Sequence, residues 1–210
     1  MSLRDLLYRC PVCGHHPLKG VGDEVGCAEC GVVYHRGGAP ALIRIIPGSG
    51  SDGGPVDVPA SVLSRALEEW GGALSTVSQD PESGLKAEAD VRLKRGRGES
   101  VLHSRGQFLG FRERMADTET GRLILDPDKL CFQPSSGNSD VVWALRDVRG
   151  VQIASSALQL YLASRLLLHF RFVDDSCRRW DELLRHAIQE VWRDEGWGEI
   201  VEFQPRISVR

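Results

Sequence analysis

Four cysteines, Cys10, Cys13, Cys27 and Cys30, constrain this chain more than any other feature. They stand at C-x2-C-x13-C-x2-C, two tight pairs each followed by a glycine, Gly14 and Gly31. Four thiolates at about 2.3 Å close a tetrahedral zinc shell, and each C-x2-C turn presents two of them from one bend. The glycine suits the left-handed backbone that ends such a turn, where a Cβ would clash. The competing chemistries are a redox dithiol and a pair of disulfides. A redox C-x-x-C expects a strand leading into a helix, which neither pair has. Disulfides expect a secreted chain, and residues 1–5 carry no apolar signal core. The spacing therefore predicts one structural Zn2+ on Cys10, Cys13, Cys27 and Cys30. With four sulfurs the shell is closed and leaves no position for a substrate. His15, His16 and His35 lie close in sequence and are expected beside the ligands or in solvent.

The knuckles and the short strands after them resemble the zinc-ribbon family over roughly residues 8–46. A module this short cannot bury enough apolar surface to fold alone, so the metal supplies its folding energy. The 210 residues leave room for one further ordinary domain. Lys plus Arg number 26 against 29 Asp plus Glu, a net charge of -3, which argues against indiscriminate binding of polyanions. The longest apolar runs, such as Leu166-Leu167-Leu168, fall far short of the ~20 residues of a spanning helix. The remaining cysteines, Cys131 and Cys177, sit among apolar residues and read as buried thiols. The expected compartment is cytoplasmic.

Organisation follows from composition. Residues 1–46 are the ribbon and 47–58, rich in Gly, Ser and Pro, read as a flexible linker. Gly48 to Gly53 spells G-x-G-x-x-G, but Gly54-Pro55 follows where a dinucleotide site needs a helix. Residues 59–80 predict a short amphipathic helix and a connector. Asp57 is its expected cap, Pro59 lies in its first turn, Val62, Leu63, Ala66, Leu67 and Trp70 form its apolar stripe, and Gly71-Gly72 ends it. Such a stripe is expected to pack on the following domain rather than to await a partner. Beyond residue 87, short alternating segments recur with turn signals between them, among them Arg95-Gly96-Arg97-Gly98, Asp126-Pro127-Asp128 and residues 134–137. A single strong helix follows over 176–195, with Cys177, Trp180, Leu184, Ala187, Ile188 and Val191 on one face. Arg178, Arg179, Glu182, Arg185 and Arg193 lie on the other. The fold class is mainly β with helices: a small ribbon, then an antiparallel barrel capped by a C-terminal helix.

Seven or so strands closed by one Trp-bearing helix resemble a pleckstrin-homology (PH) or GRAM domain over about residues 87–196, within a domain of residues 87–210 that includes the tail. The stretches that carry the likeness are residues 121–132, 143–148 and 168–172, the last leading into Trp180. The resemblance implies binding of a membrane-lipid headgroup or a peptide. Headgroups in such domains often sit on basic residues around the first hairpin, here Arg92, Lys94, Arg95 and Arg97, with Arg112 and Arg114 beside them. The whole then reads as a bacterial cytosolic adaptor: a protein partner on the ribbon, an anionic lipid or a peptide on the barrel, and peripheral attachment at the inner membrane face.

A ribbon followed by a barrel is also similar to accessory C-terminal regions of bacterial lysophosphatidate acyltransferases, which would make this a regulatory part of a lipid-modifying system. The H-x4-D of those enzymes is spelled by His169 and Asp174, but that spacing along a strand sends the two side chains to opposite faces. A nucleic-acid-binding ribbon is a further alternative. It has few cations to offer (Arg9, Lys19, Arg36, Arg44), and Tyr8 and Tyr34 are the available stacking groups. No nucleophile elbow, metalloprotease helix or calcium loop occurs, so the chain reads as a non-enzyme.

Overall fold

The computed structural model describes residues 3–37, 42–49, 53–77, 79–80, 84–102, 108–154 and 156–197, with backbone alone at 21, 79–80, 97–102 and 108–114. A short helix, α1 (Leu3–Leu6), precedes a five-stranded antiparallel sheet in chain order: β1 (Lys19–Val21), β2 (Glu24–Gly26), β3 (Val33–Arg36), β4 (Leu42–Ile46) and β5 (Val56–Pro59). Few of its apolar residues are fully buried. Val25, Tyr34 and Ile43 are buried under the sheet, with Leu3 and Leu7 from the N-terminal segment joining them.

Strand β5 lies in the segment whose composition suggests a linker. It forms because Val56 and Val58 pair with Ile45 and Ile43, and because Asp57 faces Arg44 across the strands at 2.9 Å. Asp57 therefore caps nothing. Helix α2 (Ala60–Glu69) starts directly after Pro59, whose extended backbone turns the chain without a side-chain cap. Leu63 and Leu67 bury the helix's inner stripe, whereas Val62 and Trp70 stay largely outside it. Gly71 and Gly72, both at positive φ, stop the helix. A 3₁₀ turn (Ala73–Thr76) and two minimal strands, β6 (Gln79–Asp80) and β7 (Gly84–Leu85), lead to the second unit.

That unit is a curled antiparallel half-barrel of β8 (Ala87–Leu102), β9 (Phe108–Met115), β10 (Glu119–Leu125), β11 (Lys129–Pro134), β12 (Val141–Ala144), β13 (Val148–Ala154), β14 (Ala157–Leu162) and β15 (Leu166–Phe172). The strand order is β12-β11-β10-β8-β15-β14-β13. The long β8 organises it. One edge of β8 pairs with β10 through residues 87–93 and then with β9 through 96–102, while its other edge pairs with β15 through 91–97. Arg95-Gly96-Arg97-Gly98, expected as a turn, is thus the middle of a continuous strand. Pairing on both edges at Gly96 and on the β9 edge at Gly98 keeps the segment in the strand, which local sequence preference alone does not favour. Val91 and Leu93 point inward with Leu123, Leu125, Leu168 and Phe170, all buried, while Arg92 and Lys94 point outward.

Helix α3 (Cys177–Asp194) stoppers the half-barrel. Ser176 caps it by accepting from the backbone N–H groups of Arg178 and Arg179. Trp180 is fully buried and stacks on Phe172 with ring centroids 5.2 Å apart. Arg179 departs from the expected polar face. It is buried, donates to Thr76 Oγ1 and pairs with Asp175, because the ribbon side of the molecule lies over that flank of the helix. Several further bonds stitch the two units along α3. Tyr8 donates to Glu182 at 2.8 Å, the Ala73 N–H donates to the same carboxylate at 2.9 Å, and Ser176 donates to the Asp5 carbonyl at 2.8 Å. Arg178 reaches Ser64 of α2 at 2.8 Å. A single cluster of buried apolar residues runs from Leu3 through α2 and α3 into the half-barrel.

Candidate metal centre and basic sheet face

Each knuckle is built by the same two backbone bonds. The Cys10 N–H donates to His15 O at 2.8 Å and the Gly14 N–H to Cys10 O at 2.9 Å. In the second knuckle the Cys27 N–H donates to Val32 O at 2.8 Å and the Gly31 N–H to Cys27 O at 3.0 Å. Gly14 and Gly31 take φ of 73° and 69°, the left-handed conformation for which the sequence supplies glycine. The result faces all four Sγ atoms inward, within 4.8 Å of one another. Cys10 and Cys30 sulfurs stand 3.6 Å apart and those of Cys13 and Cys27 3.5 Å apart. A tetrahedron with metal–sulfur bonds of about 2.3 Å has edges of about 3.8 Å, so the cage fits a metal ion closely. The sulfurs are free thiols, far beyond the ~2.05 Å of a disulfide.

Burial pushes the Cys30 thiol up to about 12 and raises Cys13 as well; a coordinated divalent cation deprotonates such thiols outright. The fully buried Tyr34 hydroxyl lies 3.1 Å from Cys10 Sγ. Burial first, and then Cys10, hold that phenol well above its usual range, so it stays protonated and can donate to the sulfur. Two of the three nearby histidines are occupied elsewhere. His16 Nδ1 sits 2.7 Å from Tyr8 O, and His35 faces Glu24 at 3.4 Å.

The surroundings of the two knuckles differ. Trp70 lies against Gly14, so close that a Cβ there would come within 2.7 Å of the ring, and its indole N–H donates to Pro11 O at 3.1 Å. Arg9 in turn donates to Trp70 O at 2.7 Å and to Ser75. The second knuckle rests on Gly48, where a Cβ would meet Cys30 O at 2.2 Å.

Of the six basic residues expected around a first hairpin, Arg92, Lys94 and Arg95 have described side chains, and these three do not share a face. Arg92 and Lys94 are exposed on the outer face of β8, while Arg95 projects to the opposite face and pairs with Glu119 at 2.7 Å. Arg97 pairs in register with Arg114, and Arg112 with Glu99, along the β8–β9 hairpin; these side chains lie outside the described residues. The structure adds one cation to this face. Arg171 stands directly opposite Arg92, since β15 pairs with β8 from some eighty positions earlier. Nothing local announces that pairing, although Arg171 does alternate with buried Phe170 and Phe172.

Tyr8 and Tyr34, the candidate stacking groups of the ribbon, are both buried, and Asp174 of the H-x4-D spelling lies near Arg4 at 3.9 Å. Cys177 is buried as expected, whereas Cys131 is half-buried on β11 beside Asp140. Among the described residues no helix is long and apolar enough to cross a membrane. No protein-family model matches the chain, and no curated protein matches it in sequence.

Proposed function

We propose that this chain is a non-catalytic binding protein, an adaptor in which a structural zinc ribbon is docked on a PH/GRAM-like domain. The observation that carries the reading is the half-barrel itself: strands that close around an apolar core, then one C-terminal helix that seats its tryptophan as a stopper. That arrangement fits a rigid platform whose rim and outer face take ligands. The metal is assigned as Zn2+ because four thiolates at tetrahedral spacing are its preferred closed shell, and a closed shell leaves it a structural role. The platform's occupant is an anionic lipid headgroup, with Arg92 and Lys94 as the exposed cations nearest the expected position. A protein partner is assigned to the ribbon side, where Val12 and Trp70 expose apolar surface beside the first knuckle. The place of action is the cytoplasm, at the inner membrane face.

Two measurements test this. Elemental analysis of protein purified in mild reductant is expected to return one zinc per chain. Flotation is expected to carry the protein with phosphatidylserine-containing vesicles and not with pure phosphatidylcholine; equal recovery from both removes the lipid assignment.

A further inference from the structure

We infer that the outer face of the half-barrel holds a phosphate-monoester site at Arg92, Arg171 and Lys94, with the carbon body of the ligand in the adjoining groove. The inference rests on reading the half-barrel as a binding module, and it adds Arg171 of β15 to the Arg92 and Lys94 which that reading assigns.

The first ground is an unfavourable pairing that the fold keeps. Arg92 and Arg171 are register partners across β8 and β15, and both are exposed. Directly opposed like charges destabilise a sheet. The next rung on the same face adds Lys94 opposite His169. Among the described residues Arg92, Arg171 and Lys94 form no ion pair, and the nearest acid on that face, Asp90, lies 3.6 Å from Arg122, which Glu88 also contacts. Adjacent strands are about 4.8 Å apart and same-face residues about 6.7 Å apart along a strand. Two guanidinium groups and an ammonium on such a grid surround an area about the width of one phosphate. Guanidinium binds that group in bidentate fashion, and an oxyanion between the two arginines turns their repulsion into attraction.

The second ground is what adjoins the charges. The Lys94 rung continues through His169 to Gln159 and Gln152. The following rung is Gly96, Leu167, Tyr161 and Gly150. Gly96 places no side chain there, so the charged surface gives way to Leu167 and then to Tyr161. A groove of about 530 Å³ lies on the β13–β14–β15 side of these rungs, lined by Gln152, Gln159, Tyr161 and Leu167 and flanked by Arg149 and Arg185, with Arg92, Lys94 and Arg171 outside its wall. Leu167 and the Tyr161 ring offer apolar contact, the glutamines offer amide hydrogen bonds, and the flanking arginines add positive potential. A bare phosphate uses only the first part. An organic phosphate with a compact apolar or aromatic body uses both, whether it is free in solution or the headgroup of a lipid.

Calorimetry on the full chain with inorganic phosphate and with 1-naphthyl phosphate, together with cosedimentation on phosphatidic-acid vesicles, tests the site and separates its two sources. Naphthyl phosphate is expected to bind more tightly than inorganic phosphate. Arg92→Ala/Arg171→Ala should weaken both by roughly tenfold or more, the scale of a lost charge-assisted bond. Tyr161→Ala should erase the preference for the naphthyl ester and leave inorganic phosphate unchanged, and Arg95→Ala should change neither. Arg171→Glu guards against a folding artefact: it relieves the like-charge pair, so its melting temperature should equal or exceed wild type while binding is lost. Binding of the soluble esters without vesicles assigns a free organophosphate, and vesicle binding lost in Arg92→Ala/Arg171→Ala assigns a lipid headgroup. Wild-type affinity in Arg92→Ala/Arg171→Ala, for vesicles or esters, overturns the site and leaves the adaptor reading standing. Failure of the wild type to bind any of the three probes overturns the site as well.

Discussion

The two knuckles are near copies in sequence and in backbone, yet the molecule treats them differently. Both fold by the same pair of hydrogen bonds and both end on a left-handed glycine. The first is clamped from outside by Trp70 and, through Arg9 and Tyr8, tied to the turn after α2 and to α3. The second faces solvent with Ala28, Glu29 and Gly31 exposed, and its support is the passing backbone at Gly48. Local symmetry thus makes the metal cage, and tertiary contacts make one half of it the anchor. A metal bound by all four sulfurs would tie the second knuckle, held by the β2–β3 pairing, to the first, held by α2 and α3.

The largest expected effect is that of metal removal. Structural zinc in comparable small sites contributes apparent binding free energies of about 10–16 kcal/mol, so chelation should unfold the ribbon. If the first knuckle is the anchor, hydrogen exchange after chelation should expose the Gly31 amide before the Gly14 amide. Simultaneous loss of protection at both would break the comparison. The next effect separates the two glycines directly. Gly14→Ala and Gly31→Ala share a left-handed penalty of about 1–2 kcal/mol, but only the former drives a methyl into the Trp70 ring, so it should lower thermal stability further. Equal losses would show that the ring yields.

Trp70→Ala is smaller again. It removes a half-exposed ring and one indole hydrogen bond, and a cost of about 1–2 kcal/mol is expected. Exchange should speed up at the first knuckle while the second keeps its rate. Smallest is Tyr8→Phe, which deletes the hydroxyl bonded to Glu182 and should cost about 1 kcal/mol in a denaturant melt, since Glu182 keeps the Ala73 N–H and Arg178. Burial first, and then Glu182, push that phenol upward. Its contribution is accordingly whole below about pH 10, the value of an unfolded tyrosine, and is lost as pH rises beyond it. The wild-type and Tyr8→Phe melts should therefore differ at neutral pH and converge in strong alkali.

What was legible in the sequence had a short range. The C-x2-C spacing names the ligands because a turn of four residues decides where two sulfurs point. The glycines mark their own positive φ. The alternation along β8, β10 and β15 identifies the inward residues, and the stripe of α3 identifies Trp180 as its stopper. Errors arose where a partner distant in the chain overrode a local signal. Arg95-Gly96-Arg97-Gly98 has turn composition, and pairing with β15 and β9, on both edges at Gly96 and Arg97, makes it strand. Asp57 looks like a helix cap, and Arg44 across β4 claims it. Arg179 lies on the expected polar face of α3, and the packed ribbon side buries it.

By itself the sequence determined the sulfur cage, the mainly β character and the capping helix, since each depends on neighbours within a few residues. Tertiary structure alone decided that the ribbon is welded to α3, that the first knuckle is the anchor, and that Arg171 stands opposite Arg92. Those facts depend on strand register and on packing between residues tens of positions apart. Backbone hydrogen bonds in a sheet are alike at every register, so the choice is made by the burial of the whole core rather than by any local pattern.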